Sequence, residues 1–103
     1  MTIVFDLDHT LCEIWKNENG NWDYMGAVPY LDRIKTVNEL YNMGHMIIID
    51  SARGSVSGKN WLKETQQQVR SWGLKYHKLR VGVKIPADIY VDDKGVNANE
   101  YFR

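Results

Sequence analysis

Asp6-Leu7-Asp8-His9-Thr10 follows the apolar run Thr2-Ile3-Val4-Phe5, so two carboxylates and a hydroxyl stand together where a buried strand ends. Like charge gathered at the end of a core strand is costly unless a cation or a proton neutralises it, which marks the cluster as a candidate site. The pattern recurs. His45-Met46-Ile47-Ile48-Ile49 runs into Asp50-Ser51-Ala52-Arg53, and Ile89-Tyr90-Val91 runs into Asp92-Asp93-Lys94. Carboxylates converging at strand ends suit an oxygen-loving dication such as Mg2+, which keeps several waters and takes further oxygens from a phosphate. An ionised Asp can attack phosphorus to give an acyl phosphate; a second carboxyl can protonate the leaving oxygen and then deprotonate the attacking water. Asp6 and Asp8 can divide these roles. Ser51, Lys84 and the backbone N–H groups after Asp6 are the available donors to the transferring oxygens.

These groups meet only if the chain brings the strand ends together. From Pro29, suited to a first helical turn, Leu31, Ile34, Val37, Leu40 and Tyr41 repeat at helical spacing, and Gly44 supplies the stop. A second helix is expected over 59–72, with Trp61, Leu62, Thr65, Val69 and Trp72 on one side and Gly73 after it. A short strand is expected near 78–81 and another over 89–91. Strand, helix, strand, helix, strand predicts a parallel sheet with right-handed crossovers, and ligands then bind beyond the C-terminal strand ends. Between the first strand and helix, Asn19-Gly20 is a tight-turn signal flanked by aromatic-bearing arms, which predicts a small hairpin or flap over roughly 12–27.

A chain of 103 residues fits one domain, 1–103, and leaves little mass for a second substrate-binding domain. Thirteen basic and thirteen acidic residues leave no global field for nucleic acid or an anionic membrane. Cys12, alone of its kind, forms no internal disulfide, and the lack of a membrane-length apolar stretch or leader pattern points to a soluble cytoplasmic protein.

Asp6-Leu7-Asp8-His9-Thr10 resembles the first motif of the haloacid dehalogenase superfamily of phosphatases. Ser51 after Ile47-Ile48-Ile49-Asp50 is similar to the second motif, Lys84 to the third, and Asp92-Asp93 after Ile89-Tyr90-Val91 to the acidic fourth. The resemblance implies a three-layer Rossmann-like α/β sandwich around a central parallel sheet, with a minimal flap and no large cap domain. It implies Asp6 as nucleophile, Asp8 as general acid/base, and Thr10, Ser51 and Lys84 at the substrate phosphate. Mg2+ would be held by Asp6, the Asp8 carbonyl and Asp92, with Asp93 supporting that shell. Ser51-Ala52-Arg53 and the run Gly82 to Asp93 are similar to small phosphatases of capsule and polysaccharide biosynthesis, which implies a phosphorylated sugar or other small metabolite as substrate. Resemblance also extends to polynucleotide 3'-phosphatase domains, in which an Arg at the place of Arg53 would touch substrate phosphate. A nucleic-acid end is thus the alternative substrate, a phosphotransferase the alternative reaction, and a non-catalytic interaction module the alternative class.

Several residues carry a plainer reading beside the chemical one. Asp6 and Asp8 can cap a turn, Ser51 can bond local backbone, Lys84 can be solvated, and Arg53 can pair with a surface acid. Strand alternation turns Asp50 away from whatever Ser51 faces. Gly54-Ser55-Val56-Ser57-Gly58-Lys59 fails as a phosphate-binding P-loop, because its glycines are one residue too close and Asn60 stands where Ser or Thr is needed. Trp15, Trp22 and Tyr24 on the flap either stack on substrate or fold back on the domain, and a homo-oligomer would help complete so open a site.

Overall fold

The chain's longest apolar runs become the middle of its sheet. The structure, a computed structural model, describes residues 1–82, 89–92, 96–97 and 102. Its elements are β1 (Thr2–Asp6), β2 (Cys12–Glu13), β3 (Val28–Pro29), α1 (Leu31–Asn42), β4 (Met46–Ser51), α2 (Leu62–Ser71), β5 (Lys78–Val81), β6 (Ile89–Asp92) and β7 (Val96–Asn97). Five strands form one sheet in the order β5-β4-β1-β6-β7, and every pair is parallel. β1 and β4 are interior strands, which is why Ile3, Val4, Phe5 and Ile47, Ile48, Ile49 read as unbroken apolar runs rather than as alternation.

Both helices cover one face. Ile3, Phe5, Ile47, Ile49 and Val91 share a single core cluster with Ile34 and Val37 of α1 and with Val69 of α2. Each such fully buried side chain contributes roughly 1.5–3 kcal/mol. The order β1, β4, β5 advances in one direction across the sheet, so two crossovers of the same hand put α1 and α2 on the same side. Val4 and Ile48, which alternate to the opposite face, are buried as well. The architecture is therefore α/β with a parallel sheet and two helices, and both helical layers among the described residues are one and the same layer. Phe102 packs on Phe5 with ring centroids 5.8 Å apart, so the C-terminal tail contributes to the core.

The flap is present. β2 and β3 pair antiparallel, Lys16 bridges to Trp22, and the Asn17 carboxamide oxygen accepts from the Asn19 and Asn21 N–H groups around Gly20 at φ 78°. The helix starts differ from expectation. Pro29 belongs to β3 rather than to the first turn of α1, and Leu31 is 65% exposed; α2 begins at Leu62, itself exposed, instead of at residue 59. In both cases an apolar residue in register with the helical stripe falls in the first turn and stays exposed, and the burial is left to Ile34, Val37, Thr65 and Val69. The stops are as expected, with Gly44 at φ 94° and Gly73 at φ 74° after the two helices.

Candidate active site at the strand ends

The sheet order reverses between β1 and β6: the chain runs outward from β1 through β4 to β5, then returns to the other side of β1. Such a switch point leaves a crevice beyond the C-terminal strand ends. Asp6 ends β1 there. Its register neighbour on β4 is Asp50, and Phe5 pairs with Val91, so Asp92 ends the adjoining strand beside it. Ser51 ends β4, next to Val81 of β5. Three of the strand ends expected to carry chemistry are thus adjacent, while Lys84 and Asp93 lie outside the described residues.

Immediately after Asp6 the backbone closes a tight turn. The Leu7 carbonyl accepts from the N–H groups of Thr10, Leu11 and Cys12 at 3.2, 2.8 and 3.3 Å, and the His9 N–H donates to the Cys12 carbonyl at 2.8 Å. His9 stands at φ 66°, a left-handed conformation that lets the chain reverse between Asp8 and Thr10. Its ring Nδ1 meets Glu13 Oε1, and the ring packs edge-on against Trp22, so the turn is fastened to the flap. Glu13 Oε2 also accepts from the Tyr30 hydroxyl at 2.6 Å. That bond holds the Glu13 carboxyl below its ordinary value, with His9 as a lesser cause, and the same bond raises the Tyr30 phenol above its own.

Asp8 projects from this turn onto Arg53. The Arg53 Nε donates to Oδ2 at 3.0 Å and Nη2 to Oδ1 at 2.7 Å, a two-pronged charge-assisted pair. Nη1 donates to Thr65 Oγ1 at 3.3 Å and to Gln68 Oε1 at 2.7 Å, so four of the five guanidinium N–H donors have partners. The guanidinium lies over the Tyr24 ring at 4.9 Å, and Arg53 is only 1% exposed. Its partner is thus the site's own carboxylate and not a surface acid. Gln68 turns its other end to the flap, donating from Nε2 to the Tyr24 carbonyl at 2.8 Å.

Ser51 is buried, and its hydroxyl accepts from the Arg53 N–H at 3.2 Å. Thr10 is fully buried; its Oγ1 has no hydrogen-bond partner among the described residues, and its carbonyl accepts from Arg33 Nη1. Cys12 donates weakly to Asp8 Oδ1 at 3.4 Å, and burial, reinforced by the Asp8 charge, pushes its thiol well up. Asp50 is half-buried and shares the side of Asp6, as register partners in a parallel pair do, while the buried Ser51 points to the opposite side.

Sequence spacing placed Thr65 on the packed side of the second helix without tying it to the site, and did not single out Gln68. The available signal was polar residues at i and i+3 beside Val69, on the buried stripe of an otherwise solvated helix. Asp6 and Asp92 fall at the ends of adjoining strands and the Asp8 carbonyl follows in the turn, and carboxylate and carbonyl oxygens are residue chemistry that suits Mg2+. Among the described residues no group of three or more His, Cys, Asp or Glu is gathered around one point.

The chain matches no family model and no curated protein. Among solved structures it is similar to a Vibrio cholerae protein, a crystal structure with 23% sequence identity and a TM-score of 0.72, over 98% of this chain and 86% of that one. A hypothetical protein from Xanthomonas campestris aligns with 81% of this chain and 40% of its own length, at 23% identity and a TM-score of 0.49. No helix among the described residues is long and apolar enough to cross a membrane. At these identities the likeness to the Vibrio cholerae protein establishes a shared α/β fold.

Proposed function

We propose that the protein is a Mg2+-dependent phosphomonoester hydrolase of the haloacid dehalogenase type, working in the cytoplasm on a phosphorylated sugar or similarly small metabolite. The observation that carries this reading is the position of Asp6 at the switch point, with Asp8 two residues on and held by a buried arginine. The burial of Val4 and Ile48 on the face opposite the helices supports a three-layer sandwich, the architecture that such a phosphatase would have.

In this reading an Asp6 carboxylate oxygen attacks phosphorus and the ester P–O bond breaks, leaving the phosphoryl group on Asp6. Asp8, ionised beside Arg53, passes the proton of the substrate's phosphate monoanion to the departing alkoxide, then takes one from the water that attacks the acyl phosphate and returns it to the departing inorganic phosphate, with Asp6 restored. Arg53 keeps the Asp8 carboxyl in one orientation through both half-reactions, and Ser51 and Lys84 donate to the phosphoryl oxygens. Mg2+, which Asp6, the Asp8 carbonyl and Asp92 would hold with support from Asp93, would supply charge neutralisation for the phosphoryl group. The flap, with no larger cap, leaves the crevice open.

Phosphate release from sugar phosphates, nucleotides and a 3'-phosphorylated oligonucleotide, with and without Mg2+, tests the proposal. Metal-dependent release by the wild type that is lost in Asp6→Asn upholds it. No release from a folded protein that binds Mg2+ favours an interaction module; alkyl phosphate products in added alcohol favour a transferase.

A further inference from the structure

A cavity of 530 Å3 opens beside the C-terminal ends of β4 and β5, walled by Ser55, Lys59, Asn60, Leu79 and Arg80, with Arg53 at its inner side. That volume lies within the roughly 300–1,000 Å3 of small-molecule sites. Among the described residues its lining includes three cationic residues and no Asp or Glu, in a chain whose charges otherwise balance. Arg53 is committed to Asp8, which leaves Lys59 and Arg80 to set the cavity's charge. The Lys59 ammonium stands 3.9 Å from the centroid of the Trp61 ring, which restrains where its charge sits. Arg80 is exposed at the edge of the sheet, with Asp50 as its register neighbour on β4. Leu62, the first residue of α2, also lines the cavity, so the positive end of a ten-residue helix faces the same region.

We propose that this cavity receives a second anionic group, a phosphate or carboxylate, of the small molecule whose phosphomonoester is cleaved at Asp6. The inference rests on the phosphatase reading and narrows its substrate class. β4 adjoins β1 and β5 adjoins β4, so one to two strand spacings, roughly 5–10 Å, separate Asp6 from the cavity. A bisphosphorylated sugar or a phosphorylated sugar acid spans that distance. A polynucleotide would call for a basic stripe along its backbone, whereas these cations line one compact cavity.

Calorimetric titration of the Asp6→Asn protein, which cannot turn substrate over, with glucose 6-phosphate, glucose 1,6-bisphosphate and 6-phosphogluconate tests the inference. The expected result is that at least one dianionic-tailed or carboxylate-tailed probe binds tenfold or more tightly than glucose 6-phosphate. The better of the two distinguishes a phosphate from a carboxylate tail. Adding Lys59→Ala and Arg80→Ala, both at exposed positions and checked for an unchanged melting temperature, should collapse that preference to under threefold. Equal affinities, no binding at all, a preference that survives the double substitution, or tighter binding of a 3'-phosphorylated oligonucleotide would each overturn it. The expected preference without phosphate release by the wild type would uphold the cavity and sink the phosphatase reading instead.

Discussion

Arg53 and Asp8 stand 45 residues apart in the chain, yet the guanidinium of one grips both carboxylate oxygens of the other at 2.7 and 3.0 Å. The pair is walled by Thr65, Gln68 and the Tyr24 ring, so Asp8 reaches the crevice in a single orientation. A buried ion pair is weak evidence of net stabilisation, since desolvation offsets much of the attraction; its value here lies in geometry.

Replacing Arg53 separates these two contributions. Arg53→Ala strands the carboxylate and the side chains of Thr65 and Gln68, and a loss of about 3–5 kcal/mol is expected in chemical denaturation. Arg53→Lys keeps the charge but not the fork, so it should fold while kcat for phosphate release falls about 10- to 100-fold with a smaller change in KM.

Asp6→Asn should lower kcat by at least about 10³-fold. Asn matches Asp in size and shape, so the variant should fold, which its melting temperature checks alongside the kinetics. A folded variant that retains activity would exclude Asp6 as the nucleophile.

The flap should respond to pH at both ends of the scale. Glu13 has a lowered carboxyl pKa, so its stabilising contacts to Tyr30 and His9 are present above the ordinary carboxylate value of 4.5 and disappear as pH falls through the folded value. Tyr30 has a raised phenol pKa, so its contribution is complete below 10 and is lost as pH climbs through the folded value. Amide protection factors in residues 12–30, that is exchange rates corrected for the pH-dependent intrinsic rate, should therefore be highest between these limits, and Glu13→Gln should flatten the acidic limb.

Cys12 is buried, and its thiol is held protonated by that burial and by the Asp8 charge. Iodoacetamide at pH 8 should leave the native protein unlabelled and modify the thiol completely once denaturant is added. Rapid native labelling would mean that the turn from Leu7 to Cys12 opens readily.

The sheet and flap were legible because their signals are local. Unbroken Ile, Val and Phe runs announce interior parallel strands, and Asn19-Gly20 announces a hairpin turn whatever surrounds it. The first turns of the helices were not, because helical periodicity marks Leu31 and Leu62 as core whether or not the sheet extends beneath them. Asp6, Ser51 and Asp92 could be grouped from strand endings alone. The partner of Asp8 could not, since an arginine two residues beyond a strand is free to face solvent, substrate or core, and only the packing of α2 and Tyr24 decides.

Gln68 bonds with both ends of one carboxamide: the oxygen accepts from Arg53 and the nitrogen donates to the Tyr24 carbonyl in the flap. Because the amide is polar in opposite senses at its two ends, neither Glu nor a shorter side chain can bridge both partners. Lifting the flap would break the donor bond, remove the ring from above the guanidinium, and loosen the clamp on Asp8. Under the phosphatase proposal, admitting substrate past the flap and positioning Asp8 would then be coupled through this one carboxamide.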